Sequence, residues 1–227
     1  MRLVVKISGH VISPKPGIID TDYILELSNT IEYVLKTFEK IVIVTGGGES
    51  ARSYIRAGSK LGFNEFEKDR IGIELARIHA LILSYTLPES SKIIPKSLEE
   101  LEKIINLERV VIVGGFEPGQ STTTVAVLSA EAIKASLLIL ATDVDGIYTS
   151  DPKKDPAAKK LDEVSVNELE KIIKKNAKAG TYSLIDPLAI NILKRSKIPT
   201  IVVNAKDPKN IIKAIKGENV GTRIIYP

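Results

Sequence analysis

IVIVTGGGESARSYI, residues 41–55, joins a continuous apolar run to three consecutive glycines and then directly to a helical pattern. Ile41 to Val44 are all apolar and β-branched, the composition of a strand buried on both faces of a parallel sheet. Glycine opens positive φ and leaves no Cβ between the turn's amides and a ligand, and Glu49 to Ile55 starts a helix whose first amides are unpaired. Together these make a seat for phosphate. Arg52, in or just past the first helical turn, adds a bidentate grip on phosphate oxygens. The same stretch fits the dinucleotide pattern G-x-G-x-x-A through Gly46, Gly48 and Ala51, with Asp69 about twenty residues further on. A dinucleotide fold needs that acid at the end of a second strand, whereas GFNEFEKD, residues 62–69, holds no apolar strand run. Nicotinamide cofactors are therefore set aside, and a plain strand-to-helix turn stays open on this segment alone.

Upstream, LVVKI at residues 3–7 is a short apolar run broken by Lys6 and followed by Ser8-Gly9-His10. A lysine in a buried strand needs a counter-charge, so Lys6 is expected to face an anion at the strand's carboxyl end. An edge strand with Lys6 in water is the alternative. His10 reads as a solvated loop histidine. Thr21 to Phe38 is helical by the spacing of Ile24, Leu27, Ile31, Val34, Leu35 and Phe38, and it returns the chain to the strand at 41 as a right-handed crossover unit. Residues 66–86 form a second helix that carries Arg77 and His79, the latter expected as a surface or subunit-interface histidine.

Downstream, a brief strand at 92–94 and a helix at 97–106 lead to ERVVIVGGFEPGQSTTT, which repeats the opening architecture of strand, glycines, loop and helix start. Ser121 to Thr124 can cap that helix and still leave hydroxyls for a ligand. The strand LLILA at 137–141 runs into TDVDGIYTSDPKKDP, a polar loop or hairpin beyond the sheet's carboxyl edge, where open α/β sheets bind ligands. D-x-D-G there lacks the alternation and glutamate of a calcium loop, and Tyr148 can pack on a base or sugar. Helices at 165–176, 187–196 and 208–215 and strands at 200–203 and 222–225 complete the chain, with a break at AKAGTYSLID, residues 177–186. The fold class is α/β: one three-layer α/β/α sandwich with a mainly parallel central sheet.

Composition narrows the chemistry. The 227 residues carry 44% hydrophobic and 26% charged side chains, an ordinary globular balance large enough for one sizeable core. No run reaches membrane-helix length, and MRLVVKISGH has neither a secretory nor a transit pattern, so a cytosolic protein is expected. With no cysteine and two histidines, His10 and His79, disulfides, thiolate chemistry and histidine metal sites have no support, and no G-x-S-x-G elbow is present. The net charge of +4 is dispersed among acids and aromatics make up 5%, which argues against a nucleic-acid partner. The single glutamine, Gln120, beside many Lys and Glu suits a hot environment.

Read together, KISGH, TGGGESAR, GGFEPGQST and TDVDGIYTSDP, with GTYSLIDPLA after them, closely resemble the uridylate kinases of the amino acid kinase family, particularly the short archaeal type. No Walker motif G-x-x-x-x-G-K-S/T occurs, which fits that family. The resemblance implies ATP and UMP in adjacent halves of one cleft, an acceptor half at about 1–135 and an ATP half at about 136–227. The implied reaction is ATP + UMP giving ADP + UDP in pyrimidine nucleotide synthesis, with Mg2+ carried mainly by the ATP phosphates and a homo-hexamer as the assembly. It assigns Lys6, Arg52 and Asp145 to catalysis, Asp145 orienting the basic residues. It places Lys6, Gly9, His10, Gly48, Arg52, Thr142, Asp143, Tyr148 and Asp151 around ATP. Around UMP it places Gly47, Asp69 on the ribose, and Phe116, Glu117, Pro118, Gly119, Gln120, Ser121 and Thr122. The family often has asparagine where Asp143 stands, and a carboxylate beside polyphosphate needs pairing with lysine or Mg2+. His10 can replace a lysine's phosphate contact only when protonated. Other kinases of this fold, for isopentenyl phosphate, carbamate, acetylglutamate or aspartate, are the neighbouring readings, and a non-catalytic nucleotide-binding regulatory protein is the reading from another class.

Overall fold

The computed structural model describes residues 1–150, 152, 155–178 and 185–227, with the backbone alone at 175–178. The chain opens with β1 (Arg2–Ile7), the single turn α1 (Gly9–Ile12), α2 (Thr21–Val34), β2 (Lys40–Thr45), α3 (Gly48–Lys60) and α4 (Glu65–Thr86). It continues through α5 (Leu98–Leu107), β3 (Val110–Val113), α6 (Thr122–Ala132) and β4 (Leu137–Thr142). Then come β5 (Glu163–Ser165), α7 (Val166–Lys178), α8 (Pro187–Ser196), β6 (Thr200–Asn204), α9 (Lys209–Ile215) and β7 (Gly221–Ile225). The strands form one sheet in the order β3-β2-β1-β4-β6-β7-β5. The first five run parallel, β7 is antiparallel to β6, and β5 is parallel to β7.

The period of two along each strand divides the core into two layers. Val4, Val42, Val44, Val111, Val113, Leu138 and Leu140 pack with Leu101 of α5, Val125 of α6, Leu169 of α7 and Ile190 of α8. Leu3, Val5, Ile7, Ile41, Ile43, Ile112 and Ile139 pack with Leu27 of α2, Leu83 of α4 and Ile211 of α9. Helices cover both faces, so the interiors of β1 and β2 are apolar runs without alternation, broken only by Lys6 in β1. Local chemistry sets the helix starts. Asn64 and Glu67 form a reciprocal capping box at α4, Ser97 caps α5, and Asp186 caps α8 ahead of Pro187.

Several boundaries differ from the expected ones. α2 ends at Val34, and the chain tightens into short turns in which Lys36 and Thr37 donate to Tyr33 and Val34 carbonyls, so that Phe38 is buried without being helical. No strand forms at 92–94. Lys92 Nζ donates to the carbonyls of Ser84 and Leu87 at the end of α4, where it satisfies acceptors the helix leaves open, and only an isolated bridge joins Ser90 to Val110. The turn α1 and the three-residue β5 carry no sequence period long enough to announce them. His79 is not a surface or interface histidine: it is buried inside the fold. The chain break expected at 177–186 lies largely outside the described residues.

Candidate active site at the carboxyl edge of the sheet

Five parallel strands end on one edge, so the residues after Ile7, Thr45, Val113, Thr142 and Asn204 converge. The chain steps outward from β1 to β2 and β3, then returns to β1's other side as β4. That makes β1 the topological switch where a ligand crevice opens. The edge-strand alternative for Lys6 is excluded, because β1 pairs on both sides and Lys6 lies in register with Val44 and Leu140. Two residues beyond Val4, Lys6 projects on the face covered by α6 and α8. Burial pushes its ammonium down to about 8, against the opposing charge of Asp143. Asp143 is thus the carboxylate whose charge reaches Lys6.

The glycine run does something more demanding than leave room for phosphate. A Cβ on Gly9 would lie 2.2 Å from the Gly48 amide nitrogen, and one on Gly48, whose φ is +61°, would lie 2.3 Å from the Gly9 carbonyl. The loops after β1 and β2 are therefore in backbone contact, and the first-turn amide of Glu49 donates to the Ser13 carbonyl at 2.9 Å. α3 begins at Gly48, with Gly47 at its N-cap and so no side chain to cap it. His79 Nδ1 donates to the Gly46 carbonyl at 2.8 Å, which holds the turn from below; burial keeps this imidazole below its ordinary pKa, against the pull of that hydrogen bond.

Above the turn, Glu49 gathers the cations. His10 Nε2 donates to its Oε1 at 3.1 Å, Arg52 Nη1 stands 3.3 Å from the same oxygen, and Arg56 Nη1 lies 3.6 Å from Oε2. Partial burial works to raise the Glu49 pKa, but the His10 hydrogen bond and the charges of Arg52, His10 and Arg56 together hold it below the ordinary carboxylate value. Nothing in the sequence announces the His10–Glu49 pair, which joins positions 39 residues apart.

On the acceptor side, a cavity of about 120 Å3 brings together Gly47, Asp69, Gln120 and Thr122, with Ile55, Gly72, Ile73, Ala76 and Gly115. Asp69 lies in α4 and accepts from the Gly119 amide at 2.7 Å. Gln120 Oε1 is buried and has no hydrogen-bond partner, a cost that a ligand donor would remove. Ser121 Oγ caps α6 by accepting from the Thr124 amide and itself donates to Asp186, which also accepts from Thr124 Oγ1 at 2.7 Å. Asp186 therefore ties α8 to the start of α6, a function that Asp-Pro alone signals only as a helix cap. Phe116, Glu117 and Pro118 stand apart from this group, lining a second cavity of about 290 Å3 with Phe66, Arg70, Glu74, Arg77 and Lys96.

Across the switch, Thr142 Oγ1 donates to Asp143 at 3.3 Å. Asp145 accepts from Asn204 Nδ2 at 2.6 Å and from the Tyr148 hydroxyl. Burial raises the Tyr148 pKa, and the Asp145 charge and hydrogen bond raise it further. Asp145 thus meets Asn204 and Tyr148, and neither Lys6 nor Arg52 is among its partners. The loop after β4 is fastened to β7, since Thr222 Oγ1 accepts from the Ile147 amide and donates to the Leu161 carbonyl. Asp151 lies outside the described residues. Among the described residues no group of three or more His, Asp or Glu stands close enough to hold a metal ion.

Residues 1–204 match the model of the amino acid kinase family. A uridylate kinase of Sulfurisphaera tokodaii is 44% identical over 230 residues, covering the whole of both chains. The crystal structure of a uridylate kinase from Archaeoglobus fulgidus superposes with a TM-score of 0.88 at 41% identity, covering 99% of this chain and 100% of that one. A UMP kinase structure from Ureaplasma parvum, 24% identical with a TM-score of 0.82 over 99% of this chain and 98% of that one, shares the fold.

Proposed function

The chain belongs to the amino acid kinase family, and on that premise we propose that it is a UMP kinase, which moves the γ-phosphoryl group of ATP to UMP. A UMP phosphate oxygen forms the new bond to phosphorus as the bond from that phosphorus to the β–γ bridging oxygen breaks, leaving UDP and ADP. The observation that carries this reading is the acceptor cavity. It sets a carboxylate for ribose hydroxyls, Asp69, beside an unpaired buried amide oxygen, Gln120 Oε1, and the hydroxyl-bearing Thr122. Uracil presents an N–H donor between two carbonyl acceptors, and an amide side chain matches that pattern.

The acceptor oxygen is ionised near neutral pH, so the reaction needs placement and charge neutralisation and no general base. This agrees with the fates of the histidines, His79 buried under a carbonyl and His10 paired to Glu49. In this reading Lys6 neutralises charge on the phosphoryl group in flight. Arg52, 60% exposed on a weak ion pair, turns from Glu49 to the phosphates. Gly9, His10 and Gly48 flank the ATP phosphates, while Thr142, Asp143, Tyr148 and Asp151 meet the rest of ATP and Asp145, held by Asn204 of β6, braces them. Gly47, Asp69 and the loop from Phe116 to Thr122 enclose UMP. Mg2+ would be carried by the ATP oxygens, and Asp143, the carboxylate whose charge reaches Lys6, would be a hard oxygen donor available to it. Bound there, the ion would supply charge neutralisation on the phosphate oxygens.

The reading extends to a cytosolic homo-hexamer in pyrimidine nucleotide synthesis. Its support is an apolar groove of about 490 Å3 along α3 and α4 lined by Tyr54, Phe63, Ile71 and Leu75, a surface suited to a subunit contact. The test is ADP release with Mg2+ and ATP, offering UMP, dUMP, CMP, carbamate, acetylglutamate and isopentenyl phosphate separately. Turnover with UMP above all others is expected. Turnover only with another acceptor would overturn the substrate, and silence with all would overturn the activity.

A further inference from the structure

We infer that Arg77 is a positioning residue for the acceptor site, setting the loop from Gly114 to Gly119 from behind while touching no substrate itself. This deepens the reading of that cavity as the UMP site and rests on it. Arg77 is 15% exposed, and its guanidinium is spent on backbone oxygens of this loop. Nε donates to the Gly115 carbonyl at 3.1 Å and Nη2 to the Phe116 carbonyl at 3.3 Å, with the Lys96 carbonyl at 3.4 Å from the same nitrogen. Nη1 is oriented by Glu74, one helical turn earlier, at 2.6 Å. Two successive carbonyls on one planar fork define both the height and the rotation of the loop, which a point charge such as an ammonium does not do.

The loop's approach to α4 is close. A Cβ on Gly114 would lie 2.5 Å from the Arg77 amide nitrogen, so helix and loop meet backbone to backbone. At the loop's other end, Asp69 holds the Gly119 amide at 2.7 Å. Asp69 and Arg77 are eight residues apart on one helix, about 12 Å along its axis, and they pin the two ends of the segment that delivers Gly115 and Gln120 to the cavity. The two pins are not equivalent. Asp69 lines the cavity and is the group a ribose hydroxyl would engage, so its hold on Gly119 is the one substrate competes for. Arg77 is not among the residues lining this cavity but stands in the adjoining one with Phe116, Glu117 and Pro118, and it keeps the loop in register when Asp69 turns to substrate.

The experiment compares wild type, Arg77→Ala and Arg77→Lys by steady-state kinetics with UMP and ATP, together with amide hydrogen exchange of residues 115–119 in protein without nucleotide. For Arg77→Ala the expected result is a KM for UMP raised about tenfold to hundredfold, equivalent to about 1.4–2.8 kcal/mol. The kcat and the KM for ATP should stay within about twofold of wild type, and exchange at 115–119 should be at least about tenfold faster. Arg77→Lys should recover part of the KM, since one ammonium can serve one of the two carbonyls. Unchanged exchange at 115–119, or a KM for UMP within twofold of wild type, overturns the inference. So does a parallel decline of kcat and both KM values, the mark of a general structural role; should the alanine variant not fold, the lysine variant carries the same comparison. A wild-type protein that does not phosphorylate UMP overturns the acceptor reading instead, while the exchange measurement still decides whether Arg77 sets the loop.

Discussion

Replacing Lys6 with methionine should make the protein more stable and far less active, and the size of the gain can be worked from the structure. Burial lowers the ammonium from 10.5 to about 8 even with Asp143 opposing the shift. At about 1.36 kcal/mol per unit, carrying that charge costs the fold roughly 3 kcal/mol. The sign follows from linkage. Between the folded value near 8 and the unfolded value near 10.5 the unfolded chain binds more protons, so wild-type stability rises with pH across that window and the full cost is present below it. Methionine has nearly the same shape and no charge, so Lys6→Met should raise the melting temperature by roughly 6–12 °C at pH 7 for a chain of this size. The advantage should shrink steadily as pH goes from 8 to 10.5. Turnover should fall about 10²- to 10³-fold, the usual loss for one group that stabilises transition-state charge, with a much smaller change in the KM for UMP. Saturating ATP should close the stability gap, because polyphosphate gives the ammonium its missing partner. Calorimetry from pH 7 to 10.5 with and without ATP, beside steady-state rates, tests all of this. A variant no more stable than wild type, or a gain that does not change with pH, would refute the buried charge; an undiminished rate would refute its catalytic use.

Asp69→Asn should raise the KM for UMP about tenfold to hundredfold, the value of hydrogen bonds to a charged acceptor, with the KM for ATP unchanged; equal changes in both would place Asp69 outside the acceptor site. Gln120→Leu removes a buried oxygen that has no partner, so without nucleotide the protein should be as stable as wild type or more so by about 1 kcal/mol, while UMP binding weakens. Isothermal titration with UMP and urea denaturation separate the two effects, and tighter UMP binding would sink the base-reading role. Gly48→Ala would bring a Cβ to 2.3 Å from the Gly9 carbonyl at a φ of +61°, so a loss of about 1–3 kcal/mol or more is expected together with loss of ATP binding; a urea midpoint unmoved from wild type would show that the two loops can separate freely.

What this sequence settles alone follows from short-range chemistry. Apolar runs of β-branched residues at 41–44 and 110–113 read as strands covered on both faces, and Ser121 marks a helix start because its hydroxyl satisfies an amide within its own turn. The glycine turns after the strands at 41–44 and 110–113 are legible for the same reason, since their conformational freedom is written in adjacent residues, whereas the place of Asp69 came only from the resemblance. Tertiary structure alone decided the partnerships between distant positions. It set Asp143 against Lys6, His10 on Glu49, Asn204 on Asp145, and Arg77 under the Gly115 and Phe116 carbonyls. It also showed that glycines suited to a phosphate equally let two loop backbones touch, and that His79, polar on a helical pattern, is buried because Gly46 offers it a carbonyl. Such choices depend on which loops the strand order brings to one edge, and that order arises from packing the whole sheet between its helices, a property no local stretch contains.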